Sequence, residues 1–228
     1  MHVPDGFLTA PVSVATGAVA AGGVALAIRG ARKELDEKTA PMAGLVAAFI
    51  FAVQMMNFPV GAGTSGHLMG GVLAAILVGP YTGALCVTVV LIVQALLFAD
   101  GGLTALGTNI VLMALVTALG GWLIFRGLVK TLPKNRGGLL TASGIAALLS
   151  VPLAALVFVA LYVVGGAVGI DLGALTATML AVHVLIGLGE AAITVAVVGA
   201  VLSARPDLVY GARHLTTELT LRSSKAAS

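Results

Sequence analysis

Charged side chains are scarce in this 228-residue sequence, at 9% of positions against 59% hydrophobic. Soluble domains carry about 25% charge. So few charges cannot clothe a water-facing surface, which argues against an ordinary cytosolic enzyme or a nucleic-acid-binding domain. Cysteine is nearly absent, and the single Cys86 excludes an internal disulfide framework or a Cys-rich metal site. No G-x-x-x-x-G-K-[ST] loop is present, so ATP hydrolysis of the P-loop kind must come from elsewhere. Absence of H-E-x-x-H and G-x-S-x-G argues against a membrane metalloprotease or serine hydrolase. The basic start of a secretory signal is also missing, and Pro4-Asp5-Gly6 breaks any early apolar run, so Met1 is expected to persist.

What the sequence has in quantity is uninterrupted apolar length. Thr39 to Ala99 is a run of 61 residues without a charge, about three times the ~20 needed to cross a bilayer. Turn clusters cut it, one at Asn57-Phe58-Pro59 with the following glycines, another at Gly79-Pro80-Tyr81-Thr82-Gly83. The pattern predicts an all-α, polytopic membrane protein with seven apolar segments near 10–28, 41–57, 67–79, 83–99, 104–125, 139–168 and 175–203. The third is short and needs shelter from its neighbours. Residues 1–204 form the transmembrane domain in this reading, and 205–228 a polar tail.

Basic residues set the expected orientation. With seven crossings all 12 Lys and Arg fall on one side, which is then cytoplasmic, together with the C-terminus. The N-terminus and the glycine-rich loop before His67 are then outside. The outer loops carry Asp5, Asp100 and Asp171 with no base among them, a weak attraction for cations.

Met1-His2 offers a terminal amine, a backbone amide nitrogen and an imidazole, which close a five- and a six-membered chelate ring around one metal. With the amide deprotonated the donors are nearly planar and leave one in-plane position. Such nitrogen coordination suits Ni(II) and Cu(II), and low-spin Co(II). His67, placed on the same side, is a suitable fourth donor. The structural alternative is an exposed terminal His2 and a His67 bonded to backbone at a helix start.

The opening Met1-His2-Val3-Pro4-Asp5-Gly6-Phe7, with Asn57-Phe58-Pro59 and Gly63-Thr64-Ser65-Gly66-His67-Leu68-Met69-Gly70-Gly71, resembles the CbiM/NikM family. These are the substrate-capture components of energy-coupling-factor cobalt and nickel transporters. Phe98-Ala99-Asp100-Gly101-Gly102-Leu103 and Gly107-Thr108-Asn109 share the likeness, which runs from Met1 to about Leu202. The resemblance implies a metal held by the Met1 amine, the His2 backbone nitrogen, and the His2 and His67 imidazoles. Asn57 and Ser65 are candidates to orient His67, or simply loop-stabilising residues. It further implies Co2+ or Ni2+ as transported substrate, a transmembrane coupling subunit, two cytoplasmic ATPases and a small accessory membrane subunit. Cobalt, linked to cobalamin synthesis, is the branch it looks most like.

Other residues stand out less. His183 and Glu190, seven apart, share a helix face; they read as an interhelical anchor, a second metal site or a proton relay. Met55, Met56, Met69, Met113 and Met179 read as core fillers rather than soft ligands, and Cys86 as a small buried hydrophobe. Gly17, Ala21 and Ala25, and the pair Gly165 and Gly169, form small-residue stripes suited to close helix packing or to a sliding partner contact. His214 in the tail reads as solvent-exposed. A passive channel, a metal sensor or an intramembrane enzyme built on His183 and Glu190 are the competing classes; sparse polar residues in the apolar segments disfavour a wide aqueous path.

Overall fold

The computed structural model describes residues 2–37, 39–56, 58–61 and 64–213. Met1, Asn57 and His214 lie outside the described residues, and so does the side chain of Ser65.

Each of the seven apolar segments coincides with a helical stretch. These are α1 (Ala10–Glu34), α2 (Thr39–Gln54), α3 (Gly71–Val78), α4 (Pro80–Leu97), α5 (Leu106–Thr131), α6 (Arg136–Gly165) and α7 (Leu172–Ala204). Five of them are long and apolar enough to cross a membrane, and the chain is a multi-pass membrane protein. Helix α2 is shorter, at 16 residues. Helix α3 has only 8 residues, all buried, and no face of it is amphipathic because no face meets solvent or lipid. Between α2 and α3 a short antiparallel hairpin pairs β1 (Phe58–Gly61) with β2 (Thr64–Gly66), and residues 67–70 follow without helical structure.

Local chemistry places the helix ends. The α3–α4 break falls on Gly79 at φ +101°, a conformation that a residue with a Cβ resists, and Pro80 then opens α4 where its missing N–H costs nothing. The α4 amides of Tyr81 and Thr82 donate to the buried Glu34 carboxylate at the end of α1, at 3.2 and 2.7 Å. Asn135 and Asp171 accept from Gly138 and Ala174 amides at 2.9 and 2.8 Å and start α6 and α7. The middle of α5, Ile110–Gly120, is π-helical.

Helix α6 carries Pro152 in its interior, which cannot donate to the Leu148 carbonyl one turn earlier. That carbonyl faces Gly187 of α7, so close that an added Cβ would lie 2.7 Å from it. The freed acceptor and the glycine therefore occupy one contact between α6 and α7.

Hydrogen bonds sort the helix ends into two sets. At one end lie the N-terminal segment, the hairpin, the α4–α5 loop and the α6–α7 turn, with Thr9 N–H donating to Gly165 O (2.8 Å) and Ala167 N–H to Phe7 O (3.0 Å). At the other, Glu34 meets α4, and the Arg136 guanidinium donates to Gly199 O at 3.1 Å. After α7 the chain turns back through two short 3-10 turns, burying Val209 and Ala212 in the core. Tyr210 packs against Trp122, with the Arg213 guanidinium over its other contact surface, 4.1 Å from the ring centroid. Residues 205–213 are thus docked on the bundle.

Two details differ from the sequence reading. Met69, Met113 and Met179 are buried as fillers, but Met55 and Met56 are not, standing 36% and 62% exposed where α2 ends. Gly165 ends α6, so Gly169, four residues on, is off the helix and shares no stripe with it. On α1, Gly17 packs against Gly107 of α5, while Ala21 and Ala25 are exposed.

Candidate metal centre

The N-terminal segment is buried although it precedes the first helix. His2 and Val3 are 5% and 1% exposed. A buried backbone must find partners for its amides and carbonyls, and here one side chain supplies two. Val3 N–H donates to Asn109 Oδ1 at 2.8 Å, and Asn109 Nδ2 donates to Val3 O at 3.2 Å. Gly102 N–H also donates to Val3 O at 3.0 Å. Two residues on, Asp5 Oδ1 accepts from the Thr104 amide at 2.8 Å and the Thr104 hydroxyl at 2.5 Å. These bonds, the hydroxyl's foremost, hold the Asp5 carboxyl below the usual carboxylate range. The α4–α5 loop therefore grips the N-terminal segment at both Val3 and Asp5. Phe7 anchors it further between Phe158 and Tyr162, with ring centroids 5.5 and 5.8 Å apart.

So held, the His2 ring meets the His67 ring at a centroid distance of 4.5 Å and a tilt of 33°. The two sequence-nominated histidines, 65 positions apart, are brought together. His67 is fully buried, and its Nδ1 lies 2.7 Å from Leu68 O. That nitrogen must carry the proton to make this bond, which leaves the lone pair on Nε2. The Nε2 atoms of both rings are buried and have no hydrogen-bond partner among the described residues. A buried polar atom left unpaired costs about 1–3 kcal/mol, so an arrangement with two of them side by side calls for a ligand.

His2 Nδ1 is the nitrogen that would close a six-membered ring with its own backbone nitrogen, and it sits 3.1 Å from Asp100 Oδ1. Ala99, at φ +52°, and the Asp100 amide bonded to Gln94 O at 3.1 Å turn the loop so that this carboxylate faces the ring. Gly101, at φ +91°, lies against both partners: a Cβ there would be 3.0 Å from Asn109 Nδ2 and His2 Cδ2. His2, Asp5, Asp100, Gly101 and Gly102 line an open basin at the α4–α5 loop's contact with the N-terminal segment.

Below His67 the extended segment is fixed by two polar groups. Glu190 of α7 accepts from the Met69 and Gly70 amides at 2.8 and 2.6 Å, and Gln54 Nε2 donates to Met69 O at 2.7 Å. The anchoring reading of Glu190 is the one its contacts match. Among the described residues no three His, Cys, Asp or Glu side chains converge as a conventional metal cage.

Sequence reasoning did not single out Asn109, Thr104, Gln54 or Asp100 as positioning residues. The available signal was polarity: an amide in an apolar helix is costly unless it holds something.

The family model for the cobalt uptake substrate-specific transmembrane region matches residues 2–208. The chain is 40% identical over 210 residues to a Haloquadratum walsbyi protein carrying the provisional name metal transport protein, covering 92% of this chain and 94% of that one. It is 39% identical over 155 residues to the cobalt transport protein CbiM of Geobacter sulfurreducens, spanning 66% of this chain and 43% of that one. A crystal structure described as a transition metal transporter superposes with a TM-score of 0.82 at 28% identity, covering 90% of this chain and 93% of the other. On these matches the chain belongs to the CbiM family and is a metal-transport component of a membrane rather than an enzyme.

Proposed function

We propose that the chain is the substrate-capture subunit of an ATP-driven energy-coupling-factor importer, taking Co2+ or Ni2+ from the outer face and delivering it to the cytoplasm. Both metals appear in the names of relatives, cobalt in the Geobacter protein and nickel in a fused transport protein of Rhodobacter capsulatus. Cobalt for cobalamin synthesis is the preferred cargo. The observation that carries the reading is the pair of buried rings, 4.5 Å apart between centroids, in which His67 Nε2 has no hydrogen-bond partner among the described residues and His2 ends a clamped N-terminal segment.

In this reading the metal is bound by the Met1 amine, the His2 backbone nitrogen, His2 Nδ1 and His67 Nε2, and Asn57 and Ser65 are the candidates to orient His67 by hydrogen bonds. Planar four-nitrogen coordination favours ions that tolerate it and excludes larger, oxygen-preferring divalent cations. Binding uses the lone pair of His2 Nδ1 and a deprotonated backbone amide, so proton release from the amide accompanies binding. Residues 1–204 form the capture domain, and 205–228 the cytoplasmic tail. A transmembrane coupling subunit, two ATPases and a small accessory membrane protein complete the transporter and supply the energy.

The test is metal titration of purified protein with its native N-terminus. One metal per chain is expected, with tight binding lost in His2→Ala, in His67→Ala and in a form extended by two residues before Met1. Undiminished affinity in the extended form would remove the terminal amine from the ligand set. Undiminished affinity in both alanine variants would end the reading.

A further inference from the structure

His183 repeats the construction of His67. It is fully buried in α7, its Nδ1 lies 2.7 Å from Met179 O, and its Nε2 is buried without a hydrogen-bond partner among the described residues. The backbone bond fixes the proton on Nδ1 and the lone pair on Nε2, the arrangement by which a ligating histidine is oriented from behind. The neighbours along the buried stripe of α7, Met179, Ile186 and Gly187, offer that nitrogen no polar side chain.

Its depth follows from helix geometry. Glu190, seven residues on, holds the Met69 and Gly70 amides. Seven residues of helix rise about 10 Å and return to nearly the same face. The non-helical chain from Met69 back to His67 spans at most about 7 Å toward the same end. His183 therefore stands at about the level of His67, on the stretch of α7 that packs against residues 67–70.

We propose that His183 Nε2 is a second ligand for the divalent metal, to which the ion passes from the His2–His67 site on its inward leg. The inference rests on the capture reading above. A four-nitrogen planar site holds metal too firmly for release by diffusion alone. A neutral imidazole behind it provides a new bond as old ones break, so the ion is never bare in the apolar interior.

The experiment uses Co2+ alone on purified protein, and Co2+ uptake in cells expressing the complete transporter. Three variants, His183→Ala, His183→Asn and His2→Ala, are compared with wild type. Asparagine keeps an amide near Nδ1 to donate to Met179 O but has nothing at the Nε2 position. Tight Co2+ binding within about threefold of wild type is expected in both His183 variants, with uptake at least tenfold slower in each. Wild-type uptake in His183→Asn would overturn the proposal, by showing that only the backbone bond matters. A residual weak Co2+ site in His2→Ala, lost when His183→Ala is added, supports it; a residual site indifferent to His183 overturns it. Retained tight binding in His2→Ala alone would instead count against the capture reading.

Discussion

At the scale of single residues, the site depends on side chains that never touch the proposed metal. Asn109 is the clearest case, since its amide matches both backbone groups of Val3. Asn109→Ala leaves a buried N–H without an acceptor, which costs about 1–3 kcal/mol. A melting temperature several degrees lower and a metal affinity at least tenfold weaker are expected, read by thermal denaturation and titration of the same preparation. Unchanged affinity would show that the segment holds itself in place. Thr104 gives a pH-dependent counterpart. The folded Asp5 carboxyl is held below its unfolded value, so its contribution is present above that value and is lost as pH falls through the folded one. Thr104→Val should move the Asp5 carboxyl back toward the ordinary ~4, seen by NMR titration, so that the loop loosens at a higher pH. His2 and His67 were legible in the sequence because imidazoles announce their chemistry. Asn109 and Thr104 were not, because their partners lie 106 and 99 positions away and nothing local marks which backbone they will meet.

At the scale of elements, apolar length and turn chemistry were enough to place every helix, to within a few residues at most ends. Gly79-Pro80 and the residues capping α6 and α7 act locally and can be read locally. What could not be read was the use made of α3. A run of thirteen residues does not reveal that its first four stay outside the helix and are held by Glu190, whose two oxygens both take backbone amides at the start of the helix. Glu190→Gln presents one acceptor and an amide group where two donors point. It should destabilise by about 1.5–3 kcal/mol, the range for hydrogen bonds to a charged group, and weaken metal binding by shifting His67. Retained stability and affinity together would show that the hydrogen bond from Gln54 to Met69 O suffices. Gly187 is the other element-scale device, accepting the Leu148 carbonyl that Pro152 releases. Gly187→Ala brings a Cβ against that rigid backbone oxygen and should lower the melting temperature by forcing α6 and α7 apart. A melting temperature equal to wild type would show that the two helices have slack.

At the scale of the whole molecule, charge and chemistry are separated end to end. Among the described residues the end bearing the histidines carries Asp5, Asp100 and Asp171 and no base, while Arg29, Arg32, Lys33, Arg126, Lys130, Lys134, Arg136, Arg205 and Arg213 gather toward the other. The positive-inside rule predicts that the histidines lie outside, where the proposed importer would meet its cargo. The separation of charge along the bundle was the most legible part of the molecule, because it needs only the order of bases and apolar runs. The short α3 is where it could have failed, since a hairpin that never crossed would invert everything after it. The contact of Gly79 with Glu34 at the basic end shows that residues 67–78 do traverse the bundle. Orientation can be measured directly because the natural Cys86 is buried, at 7% exposure, and should be silent to thiol reagents. Leu103→Cys lies exposed in the loop at the histidine end, and Lys134→Cys exposed at the basic end. A membrane-impermeant maleimide on intact cells should label Leu103→Cys and leave Lys134→Cys unmodified until the membrane is opened. The reverse pattern would put the histidines on the cytoplasmic face, and a protein so oriented would meet its metal on the side where an importer must release it.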